Sequence, residues 1–190
     1  MPGPPEPEGE AGQRLLVNGA SGGVGTFAVQ IGKDLGADVT AVGSTRNVEL
    51  LRKLGADEVI DYTREDFARS AVRYDVVLDL VGNRSLGELR RVLTPTGTLL
   101  LSGGGLSEGG SLVGPMKLIA AGRLRDPFTK QRIRPLTGRL TPERLAALAE
   151  LANAGRITPA IDRTYPLSEV PDAIRYLEQE HARAKVVITV

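Results

Sequence analysis

The residues with the clearest capacity for chemistry are Asn18 to Gly25, NGASGGVG, set directly between an apolar run and an amphipathic stretch. A glycine-rich bend in that setting lets backbone N–H groups close on a diphosphate. The helix that follows points its unpaired N-terminal donors and positive dipole end at the same anion. Against the spacing G-x-G-x-x-G, Ala20 stands first, Gly22 second and Gly25 third, with Ser21, Gly23 and Val24 between them. Ala20 is a small departure from the pattern. Gly22 would admit a pyrophosphate close to the backbone, and Gly25 would let the helix pack on the strand. A nucleoside-triphosphate loop needs Lys and then Ser or Thr after its last glycine, and Thr26-Phe27 in that place excludes it. A methyltransferase stays open at this point; it would carry an acid at the end of the second strand to hold ribose hydroxyls.

That position reads Val42-Gly43-Ser44-Thr45-Arg46-Asn47 and contains no acid. A carboxylate there would bind a free ribose 2′-hydroxyl and repel a 2′-phosphate. Gly43 instead leaves room, and Ser44, Arg46 and Asn47 can donate to phosphate oxygens. NADP(H) is therefore expected in preference to NAD(H), the competing reading being that Ser-Thr-Arg-Asn only caps the next helix. Tyr62, closing the third apolar run, could flank the adenine ribose or pack at the sheet edge.

Other chemistries find little footing. None of Tyr62, Tyr74, Tyr165 and Tyr176 is followed by lysine four residues on, so the Tyr-x-x-x-Lys proton donor of short-chain dehydrogenases is missing. The single histidine, His181, falls near the end of an expected helix, where an exposed, dipole-compatible role suits it better than catalysis. With no cysteine the chain offers neither a thiolate nucleophile nor a Cys-based zinc site, a composition that fits a cytoplasmic setting. Its 24 Lys and Arg against 23 Asp and Glu give no reason to expect nucleic acid or an anionic membrane as partner. The start MPGPPEPEGE lacks the basic and apolar regions of a signal peptide. The basic stretch 117–144 is expected to be mostly a solvated face.

The elements that must position these residues are legible as alternating apolar and amphipathic segments. Runs at 15–19, 39–43, 58–62, 75–82 and 97–104 read as buried strands of a parallel sheet covered on both faces. The expected fold class is α/β, a Rossmann-like doubly wound sheet flanked by helices. A helix over 24–35 places Val24, Phe27, Ala28, Ile31 and Leu35 on one face, and another spans 48–54. Residues 103–122 read as a ligand-proximal loop followed by a short helix at 116–121. QRIRPL (131–136) is a strand held to the sheet edge by Pro135. Thr141-Pro142-Glu143 opens a helix reaching Gly155, 157–167 is extended, Ser168 opens a helix to about 181, and KVVITV is a closing strand. Three regions follow: a flexible tail at 1–13, a nucleotide-binding domain at 14–140, and a helix–strand–helix–strand extension at 141–190.

In combination, LLVNGASGGVG, the STRN turn, KLGADEVIDYT, DVVLDLVG, LLLSGGG and TYPLSEVPDAIRYLEQEHARAKVVITV resemble the zinc-independent quinone oxidoreductase branch of the medium-chain dehydrogenase/reductases, from about Gly12 to Val190. The resemblance implies NADPH-dependent reduction of quinones or α,β-unsaturated carbonyls without a catalytic zinc. It implies that Leu80, Val81 and Gly82, with Ser102, Gly103 and Gly104, line the ribose and nicotinamide, and that Phe128 and Arg183 to Lys185 approach the reactive end. Related reductases resemble dimers built at the sheet edge, which here is segment 131–136. The family places a β-rich substrate domain ahead of the nucleotide domain, where this sequence has only its Pro/Glu tail. The segments at 157–167 and 185–190, which resemble strands reaching that domain, are expected to pair with each other, pair with another chain, or lack order. Two function classes follow: an oxidoreductase or part of one, and a non-catalytic NADP(H)-binding module.

Overall fold

A computed structural model describes residues 12–102, 130–136, 141–179 and 183–190. Gly103, Gly104, Phe128, His181 and the helix expected at 116–121 lie outside the described residues. Six strands, β1 (Arg14–Asn18), β2 (Asp38–Gly43), β3 (Glu58–Asp61), β4 (Tyr74–Asp79), β5 (Leu93–Leu101) and β6 (Arg132–Pro135), form one sheet in the order β3-β2-β1-β4-β5-β6. Every pairing in it is parallel. This is the doubly wound order, with its winding reversed between β1 and β4.

Alternation along the strands builds the core on both faces. Leu16 joins Val42, Tyr74, Val77, Leu89 and Leu99 in one buried cluster, while its neighbour Val17 joins Val29, Val39, Ala41, Leu51 and Leu78 in the other. Leu16 and Val17 are both wholly buried, and each such side chain contributes about 1.5–3 kcal/mol. β6 lies at the edge, as Pro135 requires, since a ring nitrogen has no proton for a further ladder. β5 starts at Leu93, earlier than the apolar run suggests, and its register slips between Tyr74 and Val76 of β4.

Helix α1 (Gly25–Asp34) departs from the face expected of it. Gly25, Thr26, Val29, Gln30 and Gly32 are buried, whereas Val24 and Leu35 are exposed. Close approach decides the orientation: a Cβ on Gly32 would come within 2.8 Å of Leu15 Cδ2 and 3.0 Å of Val39 Cγ2, so this small-residue face lets the helix lie on β1 and β2. Helix α2 (Val48–Lys53) anchors through Leu51, and α3 (Leu86–Arg91) opens with a reciprocal capping box between Ser85 and Glu88.

Beyond the sheet, α4 (Pro142–Asn153) begins at Thr141, whose side chain accepts from the Arg144 N–H, and buries none of its residues. Strand β7 (Ile161–Pro166) and strand β8 (Lys185–Thr189) flank α5 (Val170–Gln179) and pair with each other in parallel. Of the three outcomes expected for these two segments, pairing with each other is the one found. Ile161, Leu167, Ile174, Leu177 and Ile188 of this unit are exposed. No helix among the described residues is long and apolar enough to cross a membrane.

Candidate functional site

Where winding reverses, the loops after β1 and β4 separate, and the bend from Asn18 to Gly25 occupies the carboxyl end of β1. The tight turn falls at Gly19, with φ +87°, one residue ahead of Ala20. A side chain there would also strike Val81 Cγ2 at 2.8 Å. Asn-Gly is a turn signal in its own right, and reading the motif strictly as G-x-G-x-x-G passed over it. Ala20 is fully buried and its N–H donates to the Val42 carbonyl, so it fastens the bend to the end of β2. Gly22 donates its N–H to the Gly19 carbonyl and accepts from Thr26 N–H, so the bend runs directly into α1.

Two features leave this bend suited to an anion. Helix α1 starts after Val24 with no side-chain cap, so apart from Thr26 N–H, which the Gly22 carbonyl takes, its first donors are covered by no side-chain oxygen. A Cβ on Gly22 would meet only the Gly19 carbonyl, at 3.5 Å, which leaves the surface above it open. A Cβ on Gly25 would fall 2.2 Å from Gly19 O and 2.6 Å from Ala20 Cα, so this glycine serves contact between helix and bend. Ser21 and Gly23 are half-buried and Val24 is exposed.

The turn after β2 forms a short 3-10 segment, Thr45–Asn47, with Ser44 ahead of it. Ser44 is half-buried and Arg46 exposed, whereas Asn47 is buried and spends its Nδ2 on Ser44 Oγ at 3.0 Å. Asn47 therefore shapes the turn, and the start of α2 carries it inward. β3 adds a residue that linear reading did not weigh: Asp61 pairs in register with Gly43. Its Oδ2 accepts from Thr45 Oγ1 at 2.5 Å, and its Oδ1 from Thr63 N–H and Oγ1 at 3.0 and 2.7 Å. The Thr45 hydroxyl, with Thr63, holds this carboxyl below its usual range against the opposing effect of burial. The charge is thus committed to the turn's own donors. Tyr62, exposed at the same edge, donates its N–H to the Gly43 carbonyl.

Across the reversal point, Leu80 and Val81 are half-buried and Gly82 is exposed. Leu80 N–H donates to Asn18 O, while Asp79 Oδ1 accepts from Val81 and Gly82 N–H at 3.2 and 3.1 Å. Ser102, half-buried at the end of β5, donates its N–H to the Asp79 carbonyl. These bonds place the Leu80–Gly82 loop beside the end of β1 and Ser102 beside the end of β4.

The C-terminal unit reaches the site from the other side. Ala184 N–H donates to Ser21 O at 2.7 Å, and a Cβ on Gly23 would lie 2.7 Å from Lys185 Nζ. Arg183 Nη1 comes within 3.5 Å of the Arg46 carbonyl. Residues 183–185 thus contact the glycine bend and the turn after β2. Gln30 of α1 steadies the approach: Nε2 donates to Thr158 O at 3.0 Å and Oε1 accepts from Thr158 N–H at 2.7 Å. The arrangement can cradle a diphosphate on backbone donors, place one ammonium beside it, and offer Ser44 and Arg46 to a further anionic group.

The family model described as zinc-binding dehydrogenase matches residues 54–188. The mitochondrial NAD(P)H oxidoreductase RTN4IP1 of Mus musculus is 39% identical over 94% of this chain and 48% of its own length. The chloroplastic NADPH-dependent alkenal/one oxidoreductase of Arabidopsis thaliana is 31% identical over 95% of this chain and 42% of its own. The solved quinone oxidoreductase from Coxiella burnetii superposes with a TM-score of 0.81 at 29% identity, over 96% of this chain and 54% of that one. The chain thus spans about half the length of the curated relatives it matches. The chain has no cysteine, and among the described residues no group of three or more His, Asp or Glu could hold a metal ion such as the zinc of the family's description.

Proposed function

Because this chain belongs to the zinc-binding dehydrogenase family of the medium-chain dehydrogenase/reductases, we propose that it is the NADP(H)-binding part of an oxidoreductase acting on quinones or α,β-unsaturated carbonyls. The observation that carries the reading is the start of α1, without a side-chain cap, behind the open Gly22 surface, next to a turn, 43–47, that brings Ser44 and Arg46 and contains no Asp or Glu. Across the open surface at Gly22, main-chain donors of Ser21 and of Gly23 to Gly25 hold the pyrophosphate, and Lys185 supplies a charge beside it. Ser44 and Arg46 take the 2′-phosphate. Tyr62 borders the adenosine, and Leu80, Val81, Gly82 and Ser102 flank the nicotinamide ribose. When bound, the nicotinamide supplies a hydride to an electrophilic carbon; the chain's part is to fix the cofactor and keep its reactive face accessible.

Two names among the relatives, alkenal/one oxidoreductase and quinone oxidoreductase, support the substrate class. The test is a fluorescence titration with NADPH and NADH. Arg46→Ala should weaken NADPH by roughly tenfold, as loss of a charge-assisted bond predicts, and leave NADH nearly unchanged. Equal losses for both cofactors would reject the NADP(H) assignment.

A second reading, a binding module that does not turn over alone, is favoured by the share of the relatives that the chain spans. Positioning an electrophile needs a pocket, and the β7–β8 unit leaves Ile161, Leu167 and Leu177 exposed. On this reading the purified chain binds NADPH yet oxidises it with quinones far more slowly than about 10 per second, the typical enzyme rate. Turnover at that typical rate would remove the second reading. The division into 14–140 and 141–190, a cytoplasmic setting and two-fold pairing through β6 belong to the same proposal.

A further inference from the structure

Of the asparagines Asn18, Asn47, Asn83 and Asn153, only Asn18 precedes a glycine. Asparagine is thermolabile, because the next main-chain nitrogen can attack its side-chain carbon. A glycine in that next place leaves the approach open, having no Cβ to bar it. The fold itself dictates both residues here. Gly19 has φ +87°, and a Cβ on it would strike Val81 Cγ2 at 2.8 Å. Asn18 must be an amide, since its Nδ2 donates to Asp79 Oδ1 at 2.9 Å and to Asn83 Oδ1 at 3.2 Å.

In the folded chain the attack is held back. Asn18 is 4% exposed and is paired with Val42 on one side and Asp79 on the other. Its carbonyl accepts from Leu80 N–H at 3.1 Å. Ring closure needs rotation about the Asn18 Cα–C bond and release of Nδ2. The two ladders oppose the first, and the two acceptors oppose the second.

We propose that Asn18 is a latent deamidation site, locked while the reversal point is closed, whose conversion unfastens β1 from β4. When the site opens, the Gly19 nitrogen gives up its proton and bonds to Asn18 Cγ. The Cγ–Nδ2 bond breaks, and Nδ2 leaves as ammonia with that proton. Water then opens the cyclic imide at either carbonyl, which leaves a carboxylate at position 18 and, by one route, an extra methylene in the main chain. Nothing is oxidised or reduced. The new carboxylate has no hydrogen to give, yet it faces Asp79 Oδ1 and Asn83 Oδ1. Asp79 is 1% exposed, so repulsion between acceptors replaces two hydrogen bonds away from solvent. The lock does not re-form, and the two loops that start from these strand ends lose their common anchor.

Mass spectrometry of tryptic peptide 15–33 tests the site, because it separates amide from acid at position 18. In mildly alkaline buffer the folded chain should convert at least about tenfold more slowly than the chain in urea, the ratio reporting closed against open molecules. Asn83→Ala removes one anchor at an exposed residue. It should speed conversion of the folded chain several-fold while leaving the urea midpoint nearly unchanged. Equal rates in folded and unfolded chain, no conversion in urea, or an unaltered rate in Asn83→Ala would each overturn the proposal. Asn18→Asp mimics the product and should bind NADPH about tenfold or more weakly; binding equal to wild type would overturn the unfastening. This second readout rests on the NADP(H) reading and the mass readout does not. A wild-type chain that converts as expected but binds no NADPH therefore supports the site and overturns that reading alone.

Discussion

Asn18 Nδ2 donates to Asp79 Oδ1 at 2.9 Å, fastening the last residue of β1 to the last residue of β4 across the point where the winding of the sheet reverses. The two loops proposed to face the dinucleotide from either side start from these residues. Their spacing is therefore set by one buried polar contact as well as by the sheet ladder.

Replacing Asp79 tests that link. The same Oδ1 receives the Val81 and Gly82 N–H groups, so Asp79→Ala leaves three donors at a site where Asp79 is 1% exposed. We expect a loss on the order of 2–3 kcal/mol in urea denaturation, in line with the cost of unsatisfied buried groups. Asp79→Asn retains an acceptor and substitutes an amide nitrogen for Oδ2, which has no partner among the described residues. Its loss should be less than half as large. An alanine variant as stable as wild type would mean the loops are held by the ladder alone.

The glycine bend separates packing from binding at two positions three residues apart. Gly25→Ala places a Cβ 2.2 Å from Gly19 O and 2.6 Å from Ala20 Cα, both main-chain atoms that cannot swing aside. It should cost about 3 kcal/mol or more and lower the thermal midpoint. Gly22→Ala meets only Gly19 O at 3.5 Å, an ordinary contact. It should leave the midpoint within a degree or two while weakening NADPH by about tenfold or more, since the methyl stands where the pyrophosphate must approach. Thermal melts paired with cofactor titrations check both, and a destabilised Gly22→Ala variant would mean that this glycine too is structural.

What the residues disclosed in one dimension was what depends on near neighbours. Runs such as LLVN and DVVLD state their burial directly, and Pro135 limits its strand to the edge. The capping box of Ser85 and Glu88 was equally local, yet α3 is short enough that its apolar period hardly repeats. The start of β5 was hidden because Pro95 interrupts its pattern. The buried face of α1 was misassigned because glycine carries no hydropathy signal, although Gly25 and Gly32 are what let the helix lie close. The contacts that build the site join distant parts of the chain: Asn18 to Asp79, Gln30 to Thr158, Ser21 to Ala184. No periodicity reports such pairs.

Asp162 gives the C-terminal unit a defined response to acid. Burial by itself would raise its carboxyl pKa, but the Tyr176 hydroxyl and the Arg183 guanidinium and N–H outweigh burial and hold it below the ordinary value of 3.8. A carboxyl whose folded pKa is lowered binds its proton more readily in the unfolded chain. Its stabilising contribution is therefore complete above pH 3.8 and disappears as pH falls through the lower, folded value. Asp57, Asp61, Glu88 and Glu143 are lowered too, so the whole-chain acid transition mixes several groups. The difference between wild type and Asp162→Asn isolates the one of interest. That difference should be constant from neutral pH down to about 4 and shrink below it. Tyrosine fluorescence suits the measurement, because the chain has no tryptophan and the rings of Tyr165 and Tyr176 lie 6.4 Å apart within this unit. A stability difference that stays constant through the acid range, or that widens below pH 3.8, would mean that the buried Asp162 is not held as an anion by Arg183 and Tyr176.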